Sequence, residues 1–221
     1  MKLLFVTQVV DRNDAVLGAY HGWLIELAKH VESIEVICLY EGEHTLPSNV
    51  RVHSLGKERS ARSALVYSLR FLSIVWGLRR EYDAVFVHMN QEYILLAGWL
   101  WKFLGKRVYV WRNHYAGSLL TDIAAAFCVS VFCTSKYSYT AKYTKTVLMP
   151  VGVDTKRFGN GESVSRAPGS ILFLARMSPS KRPDMLIEAL GLLIEKGTSF
   201  TASFYGAPNK EDAVYYDNLR H

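Results

Sequence analysis

Short apolar runs alternate with stretches of helical periodicity along most of this chain, and that alternation permits few folds. Lys2 to Val10 is a continuous apolar run, as expected of a strand buried on both faces of a parallel sheet. After the polar stretch Asp11-Arg12-Asn13-Asp14 and Gly18, apolar residues recur at Trp23, Leu24, Leu27 and Val31 with the period of a helix. The same reading gives strands over 34–40, 50–55, 84–88, 107–111, 130–134 and 146–149. Helices are expected over 60–80, over 92–104 (closed by Gly105), over 119–127 and over 135–143. Strands and helices in this order imply a parallel sheet covered on both faces, which binds its ligands at the carboxyl ends of the strands.

Residues 159–169 break the pattern with Gly159, Asn160, Gly161, Ser163, Ser165, Pro168 and Gly169, a composition that links rather than packs. The alternation then restarts, with a strand at 171–175, a helix at 183–195, a strand at 200–205 and a helix beginning at Glu211. The expected organisation is a Rossmann-like domain over 1–160, a linker over 161–169 and an incomplete second Rossmann-like domain over 170–221. Two strands and one and a half helices cannot close a sheet with two covered faces. The chain therefore reads as a fragment, or as one that a partner completes.

Composition narrows the class. Of 221 residues, 50% are hydrophobic and 21% charged, which excludes a disordered, collagenous or coiled-coil chain. The three cysteines, Cys38, Cys128 and Cys133, lie in apolar runs without zinc-ligand spacing and read as reduced thiols of a cytoplasmic protein. The segment 93–104 is interrupted by Lys102 and 119–132 by Asp122, so neither reaches the ~20 apolar residues of a membrane span. A formal charge of +6 favours an anionic partner.

Much of that charge lies between Arg51 and Arg80, where Arg51, Lys57, Arg59, Arg62, Arg70, Arg79 and Arg80 face one acid, Glu58, with Tyr67, Phe71 and Trp76 interleaved. Two readings fit: an amphipathic core helix with a solvated basic face, or a patch that meets the head groups of an anionic membrane surface. No helix-turn-helix, zinc-finger or RNA-binding aromatic signature accompanies it, so no nucleic acid is expected.

The segment Ile171-Leu-Phe-Leu-Ala-Arg176-Met-Ser-Pro-Ser-Lys181-Arg-Pro-Asp184 ends a strand, crosses a short loop and opens a helix. Pro183 suits the first turn and Asp184 the positive helix end; Arg176 and Lys181 beside that helix end form a site for a diphosphate. A solvated loop with incidental charges is the plainer alternative.

A strand ending in Arg, a Lys five residues on and the run Pro183-Asp-Met-Leu-Ile-Glu-Ala-Leu190 resemble the donor-binding motif of glycosyltransferase family 4, a GT-B-fold group. Met149-Pro-Val-Gly152-Val-Asp154-Thr-Lys-Arg-Phe158 resembles the segment that joins the two domains in that family. The sequence departs from the pattern at Ala175, where Gly is usual, and at Val151, where Asn is usual.

The resemblance implies an α/β, GT-B-like fold and a retaining, metal-independent transfer of a sugar from a UDP- or GDP-sugar to a glycan or lipid-linked acceptor. The transfer so implied would need no cofactor and would belong to envelope polysaccharide synthesis at the inner membrane face. Arg176 and Lys181 would neutralise the donor diphosphate. Gly18, in a Leu17-Gly18-Ala19 context where the family often has Gly-Gly, would bring backbone N–H groups to it. His114 matches the strand-end histidine that faces the reacting sugar, while His88, Asn90 and Glu92 would line the acceptor pocket. Cys133-Thr134-Ser135 resembles a strand-to-helix turn with capping hydroxyls, and His21 reads as helix surface. The family's glutamate pair lies beyond this strand-helix-strand unit; Glu188 and Glu195 sit inside the preceding helix. A non-catalytic nucleotide-sugar-binding or partner subunit is the second expectation, and a basic nucleic-acid-binding protein the third. No G-x-G-x-x-G follows the first strand, which argues against a nicotinamide dehydrogenase.

Overall fold

A computed structural model describes residues 1–60, 63–156, 158–159 and 167–220. Most of the expected linker, 161–166, and Arg62 of the basic segment lie outside the described residues. The chain divides into two compact units, Met1–Phe158 and Gly159–His221.

In the first unit, seven strands form one sheet: β1 (Lys2–Val10), β2 (Ser33–Glu41), β3 (Val50–Ser54), β4 (Ala84–His88), β5 (Arg107–Trp111), β6 (Ser130–Cys133) and β7 (Thr146–Leu148). The order is β3-β2-β1-β4-β5-β6-β7 and every pairing is parallel. Four helices connect them: α1 (Ala19–Ala28), α2 (Ala64–Gly77), α3 (Glu92–Phe103) and α4 (Leu119–Phe127). The strand order reverses between β1 and β4, so a crevice opens at their carboxyl ends.

The pleat divides the core in two. Leu4 and Val6 join Phe71 and Val75 of α2, Ile94, Ala97 and Trp101 of α3, and Ala124 and Ala125 of α4 on one face. Leu3 and Phe5 meet Leu24 and Ala28 of α1 on the other. Two sets of buried polar groups are paired within this frame. Trp101 Nε1 donates to the Tyr82 hydroxyl at 3.1 Å, which donates to the Val75 carbonyl at 3.2 Å. Glu35, fully buried on β2, receives Arg51 and His53 from the neighbouring β3. Cys38 and Cys128 are free, buried thiols, each pushed up to about 12 by burial, and Cys133 is also free and buried.

Observed boundaries trim the expected helix at 60–80 to α2, whose N-cap Ser63 accepts a hydrogen bond from the Val66 N–H. The helix expected over 135–143 is not formed. A single 3-10 turn, Tyr139–Lys142, stands there, because the segment spends its polar groups across the fold rather than along itself. The Thr134 N–H and the Ser138 hydroxyl donate to Asn113 Oδ1, the Tyr139 N–H to the His114 carbonyl, and the Thr140 hydroxyl to the Arg112 carbonyl.

The second unit holds β8 (Ser170–Leu174) parallel to β9 (Thr201–Tyr205), with α5 (Pro183–Glu195) between them and α6 (Ala213–Asn218) after them. Alternate β8 residues Ile171 and Phe173 are half-buried, whereas Leu172 and Leu174 on the other face are exposed. The expected helix from Glu211 begins as a 3-10 turn, Lys210–Asp212, and continues as α6.

The contact between α3 and α4 depends on a missing side chain. A Cβ on Gly98 would stand 2.7 Å from Phe127 Cγ and 3.1 Å from its Cβ, so the Phe127 ring occupies the space. Gly98→Leu must displace that ring near its root. We expect the midpoint of urea unfolding to drop by the equivalent of about 1–3 kcal/mol, despite the better helix propensity of Leu.

Candidate functional site

At the carboxyl ends of β4 and β5, Met89, Asn90, Gln91, Glu92, Arg112, Asn113 and His114 line a cavity of about 200 Å³. Its floor is held under tension: Met89, just past β4, has φ +68°, a conformation a non-glycine residue rarely takes. The Met89 N–H donates to the Trp111 carbonyl at 2.7 Å, which fixes that turn against β5. Helix α3 begins here without a side-chain cap, so its first N–H groups present partial positive charge at the rim.

His114 is exposed and held by its own loop. The Ala116 N–H donates to His114 Nδ1 at 3.1 Å, and the ring stacks on Tyr115 with centroids 4.8 Å apart. The same Nδ1 lies 3.3 Å from the Ala116 carbonyl oxygen, so this loop holds the ring in either tautomer. Asn90 and Glu92 line the same cavity, but His88 does not. His88 is 1% exposed. It stacks on Trp111, lies 4.0 Å from the Tyr20 ring, and has Nδ1 3.1 Å from the Thr7 hydroxyl. It is a core residue that supports the crevice. His21 is half-buried: its Nε2 accepts from the Thr45 N–H at 3.1 Å, tying α1 to the loop before β3.

Gly18 is the N-cap of α1, with right-handed backbone angles. What the position forbids is bulk: a Cβ would lie 2.5 Å from the Asp14 carbonyl oxygen and 2.9 Å from that of Arg12. The loop curls under the helix because Asp14 Oδ1 accepts from the Val16 and Leu17 N–H groups.

In the second unit, Arg176 follows β8, and Lys181 ends a 3-10 turn, Pro179–Lys181, ahead of α5. Both are exposed, and neither forms an ion pair with a described residue. Arg182, the N-cap of α5, adopts φ +54° and provides no side-chain cap. Asp184 in the first turn is engaged by the Tyr215 hydroxyl at 2.8 Å and Arg182 Nε at 3.0 Å; the Tyr215 bond leads in holding its carboxyl below the usual range. The loop itself is anchored, since Met177 and Ser178 are buried. Gly206, at φ +151°, lets β9 leave beside it, because a Cβ there would overlap the Ala175 carbonyl oxygen at 1.8 Å. Sequence reasoning passed over Gly206, although a Gly directly after a strand signals close backbone approach. It passed over Arg112 as well, which stands between the strand and His114.

The basic segment is partly consumed internally. Arg51 pairs with Glu35, Arg59 lies 3.6 Å from Glu58, and Arg79 packs 4.5 Å over the Trp76 ring. Helix α2 buries only Phe71 and Val75 fully and exposes Leu65, Leu69 and Trp76. Among the described residues no helix is long and apolar enough to cross a membrane, and no cluster of three His, Cys, Asp or Glu is placed to hold a metal ion.

No protein-family model matches the chain, and no curated protein matches it in sequence. Solved structures do resemble it. HepE from Anabaena, in complex with UDP, superposes with a TM-score of 0.68 at 17% identity over 100% of this chain and 65% of its own. TarM gives 0.68 at 9% identity, covering 100% and 74%. The UDP-GlcNAc 2-epimerase of Methanocaldococcus jannaschii gives 0.54 at 13%, covering 99% and 69%. This chain therefore spans less than two thirds of the length of HepE. At these identities the likeness establishes the fold, which is α/β and GT-B-like, as the sequence motifs led us to expect.

Burial lowers the His88 pKa to about 4. In the unfolded chain, with a pKa near 6.5, the same histidine takes up a proton first, so acid favours unfolding. Stability should be intact above pH 6.5 and fall by about 1.4 kcal/mol per pH unit between 6.5 and 4 from this group. Urea titrations at pH 7 and pH 5 check this, with His88→Asn expected to shrink the difference.

Proposed function

We propose that this chain is part of a glycosyltransferase that moves a sugar from a nucleotide diphosphate sugar to a glycan or lipid-linked acceptor, resembling family 4. One observation carries the reading. Two cations without acidic partners, Arg176 and Lys181, flank the uncapped start of α5 at the end of β8, in a fold shared with a protein solved with UDP. Transfer breaks the bond between the anomeric carbon and the diphosphate, whose oxygen keeps the electron pair. An acceptor hydroxyl forms the new glycosidic bond, and its proton passes to the released diphosphate. Negative charge grows on the leaving group, so fixed cations and a helix N-terminus stabilise the transition state more than the ground state. No metal is needed for that role.

His114 would hydrogen-bond a sugar oxygen through its imidazole, with Asn90 and Glu92 in the acceptor cavity. Retention of anomeric configuration, a UDP or GDP donor and use of a lipid-linked acceptor at the cytoplasmic membrane face belong to the same proposal. The exposed Leu65, Leu69 and Trp76 of α2, beside Arg70, Arg79 and Arg80, support contact with an anionic bilayer. A second reading is favoured by the exposed Leu172 and Leu174 of the two-stranded unit: this chain alone binds the nucleotide sugar and does not turn it over.

Calorimetric titration with UDP- and GDP-sugars tests the donor assignment. Wild type should bind one nucleotide class. Arg176→Ala/Lys181→Ala should weaken it at least tenfold, as loss of charge-assisted hydrogen bonds requires. A folded wild type that binds neither nucleotide, or a double variant that binds as tightly, overturns the assignment. Binding without sugar transfer selects the second reading.

A further inference from the structure

Among the described residues, four buried side-chain polar atoms have no hydrogen-bond partner: His88 Nε2, Gln91 Oε1, Trp111 Nε1 and Arg112 Nη1. All four belong to two short segments at the carboxyl ends of β4 and β5. Folded proteins pair nearly all such atoms, and a cluster of exceptions marks a place where the protein has kept bonding capacity in reserve. Gln91 and Arg112 both line the 200 Å³ cavity.

Arg112 is the most costly of the four. Its Nη2 donates to the Ala116 carbonyl at 2.9 Å, a neutral partner that fixes the guanidinium without compensating its charge. No described carboxylate forms an ion pair with it. Glu92, the one acid lining the cavity, makes no such contact with Arg112. Asp122, on the neighbouring α4, is already engaged by Lys142 at 2.8 Å and by the Tyr139 and Tyr143 hydroxyls. A half-buried guanidinium with an unpaired N–H is expensive, and an anion in the cavity that this side chain turns to meet, away from the Ala116 carbonyl, offsets that expense. The uncapped start of α3 adds positive potential at the same rim.

We infer that this cavity binds the anionic group, a phosphate or a carboxylate, of a sugar acceptor, held by Arg112. Gln91 Oε1 accepts from a hydroxyl on the same ligand. The word acceptor rests on the transferase reading above; the anion site itself does not. The same chemistry could be supplied by the donor's diphosphate, so the test separates the two sources.

The probes are glucose 6-phosphate, methyl glucuronide and UDP, titrated into 15N-labelled protein while the Arg side-chain Nε–H signals are followed. In the wild type, glucose 6-phosphate or methyl glucuronide should shift the Arg112 signal, and the shift should persist in Arg176→Ala/Lys181→Ala. Arg112→Gln should weaken that binding tenfold or more, with Arg112→Lys intermediate, and should leave the UDP affinity unchanged. If neither acidic sugar moves the Arg112 signal in the wild type, the inference is overturned without recourse to any variant. If UDP alone moves it, and Arg112→Gln weakens UDP, the anion is the donor's and the acceptor assignment is overturned. Failure of UDP to bind at all, with the acidic-sugar shift intact, removes the transferase reading and leaves the anion site standing.

Discussion

The pairing of β1 with β4 is the constraint on which the first unit depends. Leu3, Leu4, Phe5 and Val6 sit opposite Ala84, Val85, Phe86 and Val87, and six of these eight are almost fully removed from water. A strand covered on both faces must have helices on both sides, and parallel neighbours must be joined by crossovers. The reversal of strand order at this pair then parts the following loops. The Gly18 turn leaves one side of that opening, and the loop from Met89 to Glu92 leaves the other. The cavity under Arg112 and His114 is one strand further along. Chemistry in this unit is placed by where two apolar strands meet.

Positions in such a sheet are legible in sequence because burial on both faces leaves long apolar runs, and all nine observed strands fall within a residue or two of the runs that announce them. The helix expected at 135–143 fails for a reason no periodicity reveals. Its Ser, Thr and backbone donors are drawn to Asn113, His114 and Arg112, residues more than twenty positions away. Those bonds hold the loop that carries His114, so the missing helix and the placed histidine have one cause. His88 shows the converse. A polar residue at a strand end suggests a site, but Tyr20, Trp23 and Trp111 close around its ring, and only the fold shows that α1 leans across β4 and β5. Arg112 went unnoticed because a single Arg after a strand is common; its meaning comes from the partners it lacks.

The two units carry different parts of the proposed chemistry. The second offers charge without partners, Arg176 and Lys181, on a loop anchored by buried Met177, Ser178 and Pro183. The first offers a shaped cavity with directional groups: a guanidinium, an amide oxygen, and an imidazole held by its own loop. A leaving group that gains charge calls for the former, and an acceptor that must present one hydroxyl calls for the latter. The cations on that loop are exposed and cost little to hold, whereas Arg112 is held in place against a penalty. That difference is the one the proposed division of labour requires.

The buried thiols of Cys38 and Cys128 carry a consequence for how this protein can be watched. Only a thiolate attacks an alkylating or disulfide reagent, and burial holds both thiols protonated at neutral pH as well as shielding them from contact. They lie in the two structural halves of the core, Cys38 beside the α1 face and Cys128 beneath α4. Each therefore reacts only when its own side of the sheet comes apart. The pair forms a built-in clock with two hands, and reading them against each other would tell whether the faces of this sheet open together or one at a time.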